Sequence, residues 1–246
     1  MKYVFGNWKM YLDFDESNIL INGLLQEKFD SEKVGLAVFP STLALREVTM
    51  SAKDTEFAVG AQNVAWVPKG AYTGAVSAQM FSDVGCHYAL VGHSERRHVF
   101  GETNDDVRKK IEACLETNLI PVVCIGETED DLEAGKREYR LKKQLMKAFE
   151  NLELNGGKVV VAYEPVWAIG TGKACDPATA QEVHAFLKTE LKQYFDADIT
   201  VLYGGSVKAE NVVSYVALGA IDGVLVGGAS ARLDSFTELI RAVEGV

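Results

Sequence analysis

Polar side chains that follow three separate apolar runs of the sequence could together carry out proton transfer. Asn7 and Lys9 stand in GNWKM after a first apolar run, His93 stands in VGHSERR after a fourth, and Glu164 directly follows a sixth. A carboxylate at the buried end of a strand costs free energy unless it is paired or used, so Glu164 is the candidate base. His93 and Lys9 add an imidazole and a positive charge to the same candidate site.

Two glycine-rich stretches follow the next two apolar runs and could bind a phosphate. Gly204 to Ser206 reads GGS, and Gly227 with Gly228 forms the second stretch. Such loops offer backbone NH groups, and in the first case a hydroxyl, to an anion. Each feature also has a simpler interpretation when taken singly: Lys9 as a surface lysine, His93 as a structural histidine, and the glycine pairs as turns.

The elements that would position these side chains are short strands separated by amphipathic helices. Helical spacing places Val107, Ile111 and Cys114 on one face with Leu115, and places Val183 and Leu187 on another with Phe186 and Leu191. Asp176 before Pro177 predicts a helix start. Runs rich in β-branched and aromatic residues predict strands at Tyr3 to Phe5, Val34 to Phe39, Phe57 to Gly60, Tyr88 to Val91, Ile120 to Ile125, Val159 to Tyr163, Thr200 to Tyr203 and Gly223 to Val226.

Strands that are apolar on consecutive residues and alternate with helices indicate an α/β protein with a parallel sheet covered by helices. Eight such units within 246 residues predict a single-domain (β/α)8 TIM barrel with eight parallel strands over residues 1–246, with an open doubly wound sheet as the alternative. In a barrel, the active site lies at the carboxyl ends of the strands, where the polar residues stand.

Composition and charge exclude several classes of function. The chain is 48% hydrophobic and 24% charged, which is typical of a soluble globular protein. A net charge of -10 argues against a nucleic-acid or anionic-membrane surface, but not against a small anion in a locally positive pocket. We find neither a signal peptide nor an apolar run of about 18 residues. The four cysteines form no Cys-x-x-Cys pair, so they predict thiols in a reducing cytoplasm rather than a zinc site or disulfides.

Eight stretches of the sequence resemble the triosephosphate isomerase family, and they occur in the family's order along almost the whole chain. AYEPVWAIGTGK together with GHSERR is the most specific combination. The matching stretches are FGNWKM (5–10), GAYTG (70–74), VGHSERR (91–97), GETN (101–104), CIGET (124–128), AYEPVWAIGTGK (162–173), YGGSV (203–207) and LVGGAS (225–230).

The resemblance implies interconversion of dihydroxyacetone phosphate and glyceraldehyde 3-phosphate through an enediol(ate), without a metal or an organic cofactor. It implies that Glu164 is the general base and that His93 polarises the carbonyl and shuttles protons. Lys9 and Asn7 would stabilise negative charge, with Glu95 beside Lys9. The resemblance also implies a neutral His93, and Ser94 and Glu95 could open a helix whose N-terminal dipole would disfavour an imidazolium.

The resemblance also assigns a phosphate site and a mobile lid. Backbone NH groups of Gly170, Gly227 and Gly228, with the neighbourhood of Ser206, would bind the phosphate. A lid excludes water from a reactive enediolate phosphate. The lid residues would be two hinges and a rigid tip within 165–175: Pro165, Val166 and Trp167, then Ala168, Ile169, Gly170, Thr171 and Gly172, then Lys173, Ala174 and Cys175.

A homodimer is the assembly that the resemblance implies, although some residues depart from the family pattern. Thr73 would contact Asn7 of a partner. Ala75 replaces a glutamate that pairs with Arg96 of the other chain, so that salt bridge is expected to be missing. Tyr11 replaces a small polar residue near the interface, and Cys175 replaces a hydroxyl residue beyond the lid.

Two other functions remain open from the sequence alone. Another phosphate-binding barrel, such as an isomerase or lyase of aromatic amino-acid synthesis, would share the glycine loops without needing Lys9, His93 and Glu164 together. A non-catalytic sugar-phosphate binder would keep the phosphate loops and lose the acid or the imidazole. Both of these groups are present.

Overall fold

The protein forms a closed barrel of eight parallel strands, described by a computed structural model over residues 1–169 and 174–246. Each strand pairs with the next along the chain, and β1 closes the circle on β8 with Tyr3 opposite Gly223. The predicted (β/α)8 barrel is confirmed, and the doubly wound alternative is wrong. The strands are β1 (Lys2–Asn7), β2 (Val34–Phe39), β3 (Phe57–Ala61), β4 (Tyr88–Val91), β5 (Ile120–Ile125), β6 (Val160–Tyr163), β7 (Thr200–Tyr203) and β8 (Gly223–Val226).

Two hydrophobic cores explain why the strands are apolar on consecutive residues. On β5, Val122 and Cys124 pack inside the barrel, while Val123 and Ile125 pack outward against the helices. Successive side chains of a strand point to opposite faces, so a strand covered on both faces needs apolar residues at every position. Because apolar side chains fill the inside of the barrel, the polar side chains of the strands lie at its ends.

Helices follow the strands and cover the outer face. The predicted helix start at Asp176 is confirmed, because its side chain accepts a hydrogen bond from the backbone N–H of Thr179 and Pro177 is the first helical residue. Within the described residues the α-helices are α1 (Phe14–Leu24), α2 (Leu45–Ser51), α3 (Ala78–Asp83), α4 (Ser94–His98), α5 (Asn104–Glu116), α6 (Glu129–Glu133), α7 (Arg137–Phe149), α8 (Pro177–Leu191), α9 (Ala209–Val216) and α10 (Leu233–Glu244).

The predicted helix faces are largely the buried faces. On α5, the apolar residues at helical spacing are buried except Leu115, which is only partly covered. On α8, Phe186 is likewise partly covered while its neighbours at the same spacing are buried. Leu115 and Phe186 therefore lie at the edges of the faces that pack on the barrel.

Strand bounds differ from the prediction by one or two residues. Asn7 was expected after β1, but it is the last residue of that strand and pairs with Phe39 of β2. Its polar side chain does not end the strand, because the backbone ladder continues to the rim of the barrel.

The four cysteines are free and buried. No helix among the described residues is long and apolar enough to cross a membrane.

Candidate active site

The carboxyl ends of the strands open on a cavity of about 240 Å³. The structure brings together there side chains and glycines from the ends of β1, β4, β6, β7 and β8, as expected for a site at the carboxyl face of a barrel. The residues of the sequence prediction that line this cavity are Asn7, Lys9, His93, Glu164, Ile169, Ser206, Gly227 and Gly228.

Glu164 and His93 are in direct contact on the floor of the cavity. His93 Nε2 lies 2.9 Å from Glu164 Oε1, and both side chains are almost completely buried. The second carboxylate oxygen accepts the backbone N–H of Ser94 at 2.8 Å. Glu164 stands directly after β6, where its own N–H donates to Ile125 O at 2.7 Å. A rigid strand end therefore holds the carboxylate.

Gly126 makes the close approach to Glu164 possible. A Cβ atom on Gly126 would lie 1.7 Å from the backbone carbonyl oxygen of Glu164. No side chain fits between these two strand ends. The glycine of the CIGET stretch is thus required by the backbone of the candidate base.

The pKa of Glu164 is set by opposing effects. Burial raises the pKa of Glu164, but His93, the Ser94 N–H and the charge of Lys9 together lower it below the ordinary value. The donors around the carboxylate outweigh desolvation, so Glu164 is ionised at neutral pH and able to accept a proton.

His93 caps the short helix α4, which begins at Ser94 as predicted. Its Nδ1 accepts the backbone N–H of Glu95 at 3.3 Å, so the ring proton lies on Nε2, facing Glu164. Burial lowers the pKa of His93, but the Glu164 carboxylate opposes this effect and outweighs it, so the net pKa lies above the ordinary value. A neutral imidazole with its proton on Nε2 satisfies both contacts; the neutrality of His93 stays a prediction.

Lys9 enters the cavity from a strained backbone after β1. Its φ is 49°, a region that non-glycine residues rarely adopt, and strain of this kind persists only where the surroundings fix it. Asn7 Oδ1 accepts the Lys9 N–H at 3.0 Å, and Gln62 Nε2 donates to the Lys9 carbonyl at 2.7 Å. The Lys9 ammonium lies 2.8 Å from Glu95 Oε1.

Gly227 leaves room for the lysine side chain. A Cβ atom there would lie 3.2 Å from Lys9 Cε and 3.5 Å from its Nζ. The ammonium therefore lies against the second glycine stretch, beside Gly228. Both glycine stretches of the sequence analysis face the same cavity as the proposed base.

The segment after Glu164 begins as a short 3₁₀ helix from Val166 to Ala168. The Trp167 ring is partly buried against the outer core. Ala168 is buried and Ile169 lines the cavity. Pro165 precedes this turn. Four further residues of the expected lid and phosphate site lie outside the described residues: Gly170, Thr171, Gly172 and Lys173.

Glu127 holds the start of this segment, and the sequence analysis assigned it no role. Its Oε1 accepts from the Trp167 indole at 2.9 Å, from the Tyr163 hydroxyl at 3.0 Å and from Arg137 Nε at 3.0 Å. Its backbone carbonyl also accepts the Val166 N–H at 3.1 Å. Glu127 belongs to the quoted CIGET stretch, which was the only signal that could have identified it.

Cys175, Thr73 and Arg96 do not line the cavity. Cys175 is fully buried, and its carbonyl accepts the Tyr215 hydroxyl at 2.6 Å. Thr73 is exposed in the loop after β3. Arg96 pairs within its own chain, with its Nε 3.4 Å from Glu102 Oε2 and its guanidinium 4.4 Å from the centre of the Phe100 ring.

Two side chains of the cavity wall that carry polar groups, Tyr11 and Lys208, were not predicted to lie there. Tyr11, which was expected near the interface, lines the cavity, and its ring lies 3.7 Å from the position of a Cβ on Gly228. Lys208 lines the cavity after β7 and was not singled out. Within the described ranges, no group of three or more His, Cys, Asp or Glu side chains is placed to hold a metal ion.

Comparison with known proteins agrees with this arrangement. The model of the triosephosphate isomerase family matches residues 2–243. The triosephosphate isomerase of Francisella philomiragia is 43% identical over 244 residues, which cover 98% of this chain and 96% of the relative. That of Francisella tularensis subsp. novicida is 43% identical with the same coverage. That of a Roseiflexus species is 42% identical over 241 residues, 96% of this chain and 95% of the relative. The chain therefore belongs to the triosephosphate isomerase family.

Proposed function

We propose that this protein interconverts dihydroxyacetone phosphate and glyceraldehyde 3-phosphate by proton transfer through an enediol(ate). The observation that carries the proposal is the contact of Glu164 with His93 at 2.9 Å, beside Lys9, in a cavity that also contains two glycine loops. The names of the relatives support the same reaction. The reaction belongs to glycolysis and gluconeogenesis, and a cytoplasmic location agrees with four free thiols.

Glu164 is the general base in this proposal and moves a proton between C1 and C2 of the substrate. A carbon acid next to a carbonyl needs an ionised base within hydrogen-bond reach, and the strand end after β6 fixes such a carboxylate. The substrate carbon would enter between Glu164 and His93. The direct contact between these two side chains is then replaced by one contact from each to the substrate.

His93, Lys9 and Asn7 stabilise the oxyanion that forms when the proton leaves. His93 Nε2–H points to the carboxylate in the free protein and would point to the substrate oxygens once substrate separates the pair. The Lys9 ammonium supplies a positive charge in a site of low dielectric. Glu95 holds that ammonium at 2.8 Å and is assigned the role of orienting it.

The phosphate group is assigned to the glycine loops after β7 and β8. Backbone NH groups of Gly227 and Gly228 and the neighbourhood of Ser206 border the same cavity as Glu164. Gly170 is proposed as a further ligand from the segment after β6. Residues 165–173 are proposed as a lid, because Ile169 already borders the cavity and the Glu127 contact with Trp167 anchors the first hinge.

A homodimer is proposed as the active assembly. Large apolar side chains are exposed after three elements of the first half of the barrel: Met10 is 95% exposed after β1, Leu43 84% after β2, and Val99 72% after α4. An apolar surface of this kind on one side of a barrel rim is typical of a protein–protein interface. Thr73, in the loop after β3, and Arg96, on the short helix α4 after β4, are the proposed interface residues.

A coupled assay tests the proposed reaction. Purified protein is given glyceraldehyde 3-phosphate with and without EDTA, and formation of dihydroxyacetone phosphate is followed. Glu164→Gln is expected to lower kcat about 10²–10⁴-fold while inorganic phosphate and glycerol 3-phosphate still inhibit, because the substitution removes a group used in proton transfer. Glu182→Gln, at an exposed position on α8, is the matched control. Comparable loss of inhibitor binding in Glu164→Gln would mean that Glu164 is structural, and sensitivity to EDTA would refute a metal-free reaction.

A further inference from the structure

The backbone that carries His93 is held on both of its polar groups by charged side chains that the proposed mechanism does not use. Immediately before His93, the Gly92 carbonyl accepts from Arg97 Nε at 2.7 Å. The Gly92 N–H donates to Glu102 Oε1 at 3.0 Å. The side chains of Arg97 and Glu102 thus fix both backbone polar groups of Gly92, the residue next to the proposed electrophile His93.

Glycine is the only residue type that fits at position 92 without strain. Its φ of +71° lies in the left-handed region, and a Cβ atom would lie 2.7 Å from both Arg97 Nη2 and Val107 Cγ2. The guanidinium therefore packs directly on the backbone turn from β4 into α4. A shift of Arg97 would shift the turn, and with it the ring of His93.

Arg97 also contacts two other elements of the barrel. Its Nη1 donates to Asn104 Oδ1 at 2.8 Å, at the start of α5, and its Nη2 donates to the carbonyl of Cys124 on β5 at 3.1 Å. Three nitrogens of one planar group therefore reach acceptors on three separate segments. A lysine has a single donor centre and cannot reproduce this geometry.

The β5 contact leads directly to Glu164. Cys124 pairs with Ala162 of β6, and the next residue, Ile125, accepts the Glu164 N–H at 2.7 Å. One guanidinium thus connects the segment that carries His93 with the strand pair that carries Glu164. The remaining oxygen of Glu102 accepts from Arg96 and from Lys110, which fixes the acid on the other side of Gly92.

We propose that Arg97 is a positioning residue that sets the separation of His93 and Glu164 through its contacts to Gly92 and Cys124. This inference rests on the proposed function, since it assigns a role in the chemistry of the same two side chains. A displacement of about 1 Å between a base and its reacting partner can cost on the order of 10²-fold in rate. Loss of the three hydrogen bonds of the Arg97 guanidinium is therefore expected to lower kcat and to leave binding of the phosphate group unchanged.

Arg97→Lys is the test variant, because it keeps the positive charge and removes the planar guanidinium with its three hydrogen bonds. Its matched control is Arg108→Lys on the outer surface, where Arg108 donates to the backbone carbonyls of Ala148 and Glu150 in the same manner but far from the cavity. The measurements are kcat, KM and the inhibition constant of glycerol 3-phosphate, which carries the phosphate and lacks a carbonyl.

In Arg97→Lys we expect kcat to fall about 10- to 100-fold with the inhibition constant within about twofold of the unsubstituted protein. Arg108→Lys is expected to keep both values. Unchanged kcat in folded Arg97→Lys would overturn the inference, and so would parallel losses of kcat and inhibitor binding, which indicate general loosening of the barrel. The unsubstituted protein is assayed before any variant. Absence of turnover in that protein would refute the proposed function rather than the role of Arg97.

A second variant decides the question if Arg97→Lys does not fold. Asn104→Ala leaves the arginine in place and removes only the acceptor of Nη1, at the first position of α5. A fall in kcat of about threefold or more at unchanged inhibitor binding supports the inference. A kcat equal to that of the unsubstituted protein overturns it.

Discussion

His184 is a buried histidine outside the active site, and its titration is expected to limit stability in mild acid. Its side chain on α8 is fully buried, with its ring centre 5.8 Å from that of Tyr163 and 6.2 Å from that of Tyr203. Among the described residues neither ring nitrogen makes a hydrogen bond of good geometry, although the backbone of Ala220 and Val201 lies near the ring. Burial, with the positive charges of Lys188 and Lys2, lowers the pKa of His184 to about 3.

The size of the effect follows from the difference between the folded and unfolded pKa values. An unfolded histidine has a pKa of about 6.5, so below that pH the unfolded chain binds a proton that the folded protein does not. The free energy of unfolding is therefore fully retained above about pH 6.5 and falls as the pH drops towards the folded pKa, by about 1.4 kcal/mol per pH unit. Between pH 7 and pH 5, the expected loss from this one group is about 2 kcal/mol.

His184→Leu removes this loss because leucine does not titrate. The free energy of unfolding is measured by urea denaturation at pH 7, 6 and 5, at one protein concentration because oligomers are stabilised by mass action. The decrease from pH 7 to pH 5 is expected to be about 2 kcal/mol smaller in His184→Leu than in the unsubstituted protein. His87→Leu, at an exposed histidine, is the control and is expected to retain the full decrease.

The reasoning is refuted if His184→Leu loses as much free energy of unfolding between pH 7 and pH 5 as the unsubstituted protein does. Acidic groups contribute to the same pH dependence, but they contribute equally to the three proteins. The comparison of variants therefore isolates the histidine. If His184→Leu has a lower free energy of unfolding at every pH, that offset reflects changed packing against Tyr163. The deciding quantity is the change in the free energy of unfolding between pH 7 and pH 5.

Two further predictions concern the charge state of the site and the assembly. His93 is expected to stay neutral throughout neutral pH when a phosphate-bearing inhibitor separates it from Glu164, because the contact that raises its pKa is then lost; an NMR titration of the imidazole that shows a charged ring would contradict this. The protein is expected to sediment as a dimer at micromolar concentration, and Val99→Asp, which places a carboxylate on the exposed apolar surface, to shift it to the monomer; a monomeric unsubstituted protein would refute the proposed interface.

The barrel could be predicted from the sequence because its strands are buried on both faces. Val122 to Ile125, for example, is apolar at every position and can fit neither an amphipathic helix nor a half-exposed strand. The end of β1 could not be placed, because backbone pairing with Phe39 continues through the polar Asn7. Hydropathy reports where side chains are buried, whereas a strand ends where its backbone hydrogen bonds end.

The residues at the strand ends were identified by motif, but their partners were not. Glu127 and Arg97 stand inside quoted motifs, yet nothing in their spacing indicates that one binds Trp167 and the other bridges Gly92 to Cys124. Such contacts depend on the directions of long side chains between elements that are distant in sequence. The place of Tyr11 in the cavity wall could not be predicted for the same reason, because residue type and position along the chain do not determine which way its ring points.

The net charge of -10 and an anionic substrate are compatible because the field in the cavity is local. At physiological ionic strength, charges further apart than about 8 Å are largely screened when they are exposed, so the acidic outer surface contributes little within the cavity. The acids nearest the substrate are paired: Glu95 with Lys9, and Glu164 with His93 and the Ser94 N–H. What an entering phosphate meets is therefore the ammonium of Lys9, the side chain of Lys208 and the backbone of the glycine loops. Substitution of Lys9 rather than of surface acids is the change that should alter phosphate binding most.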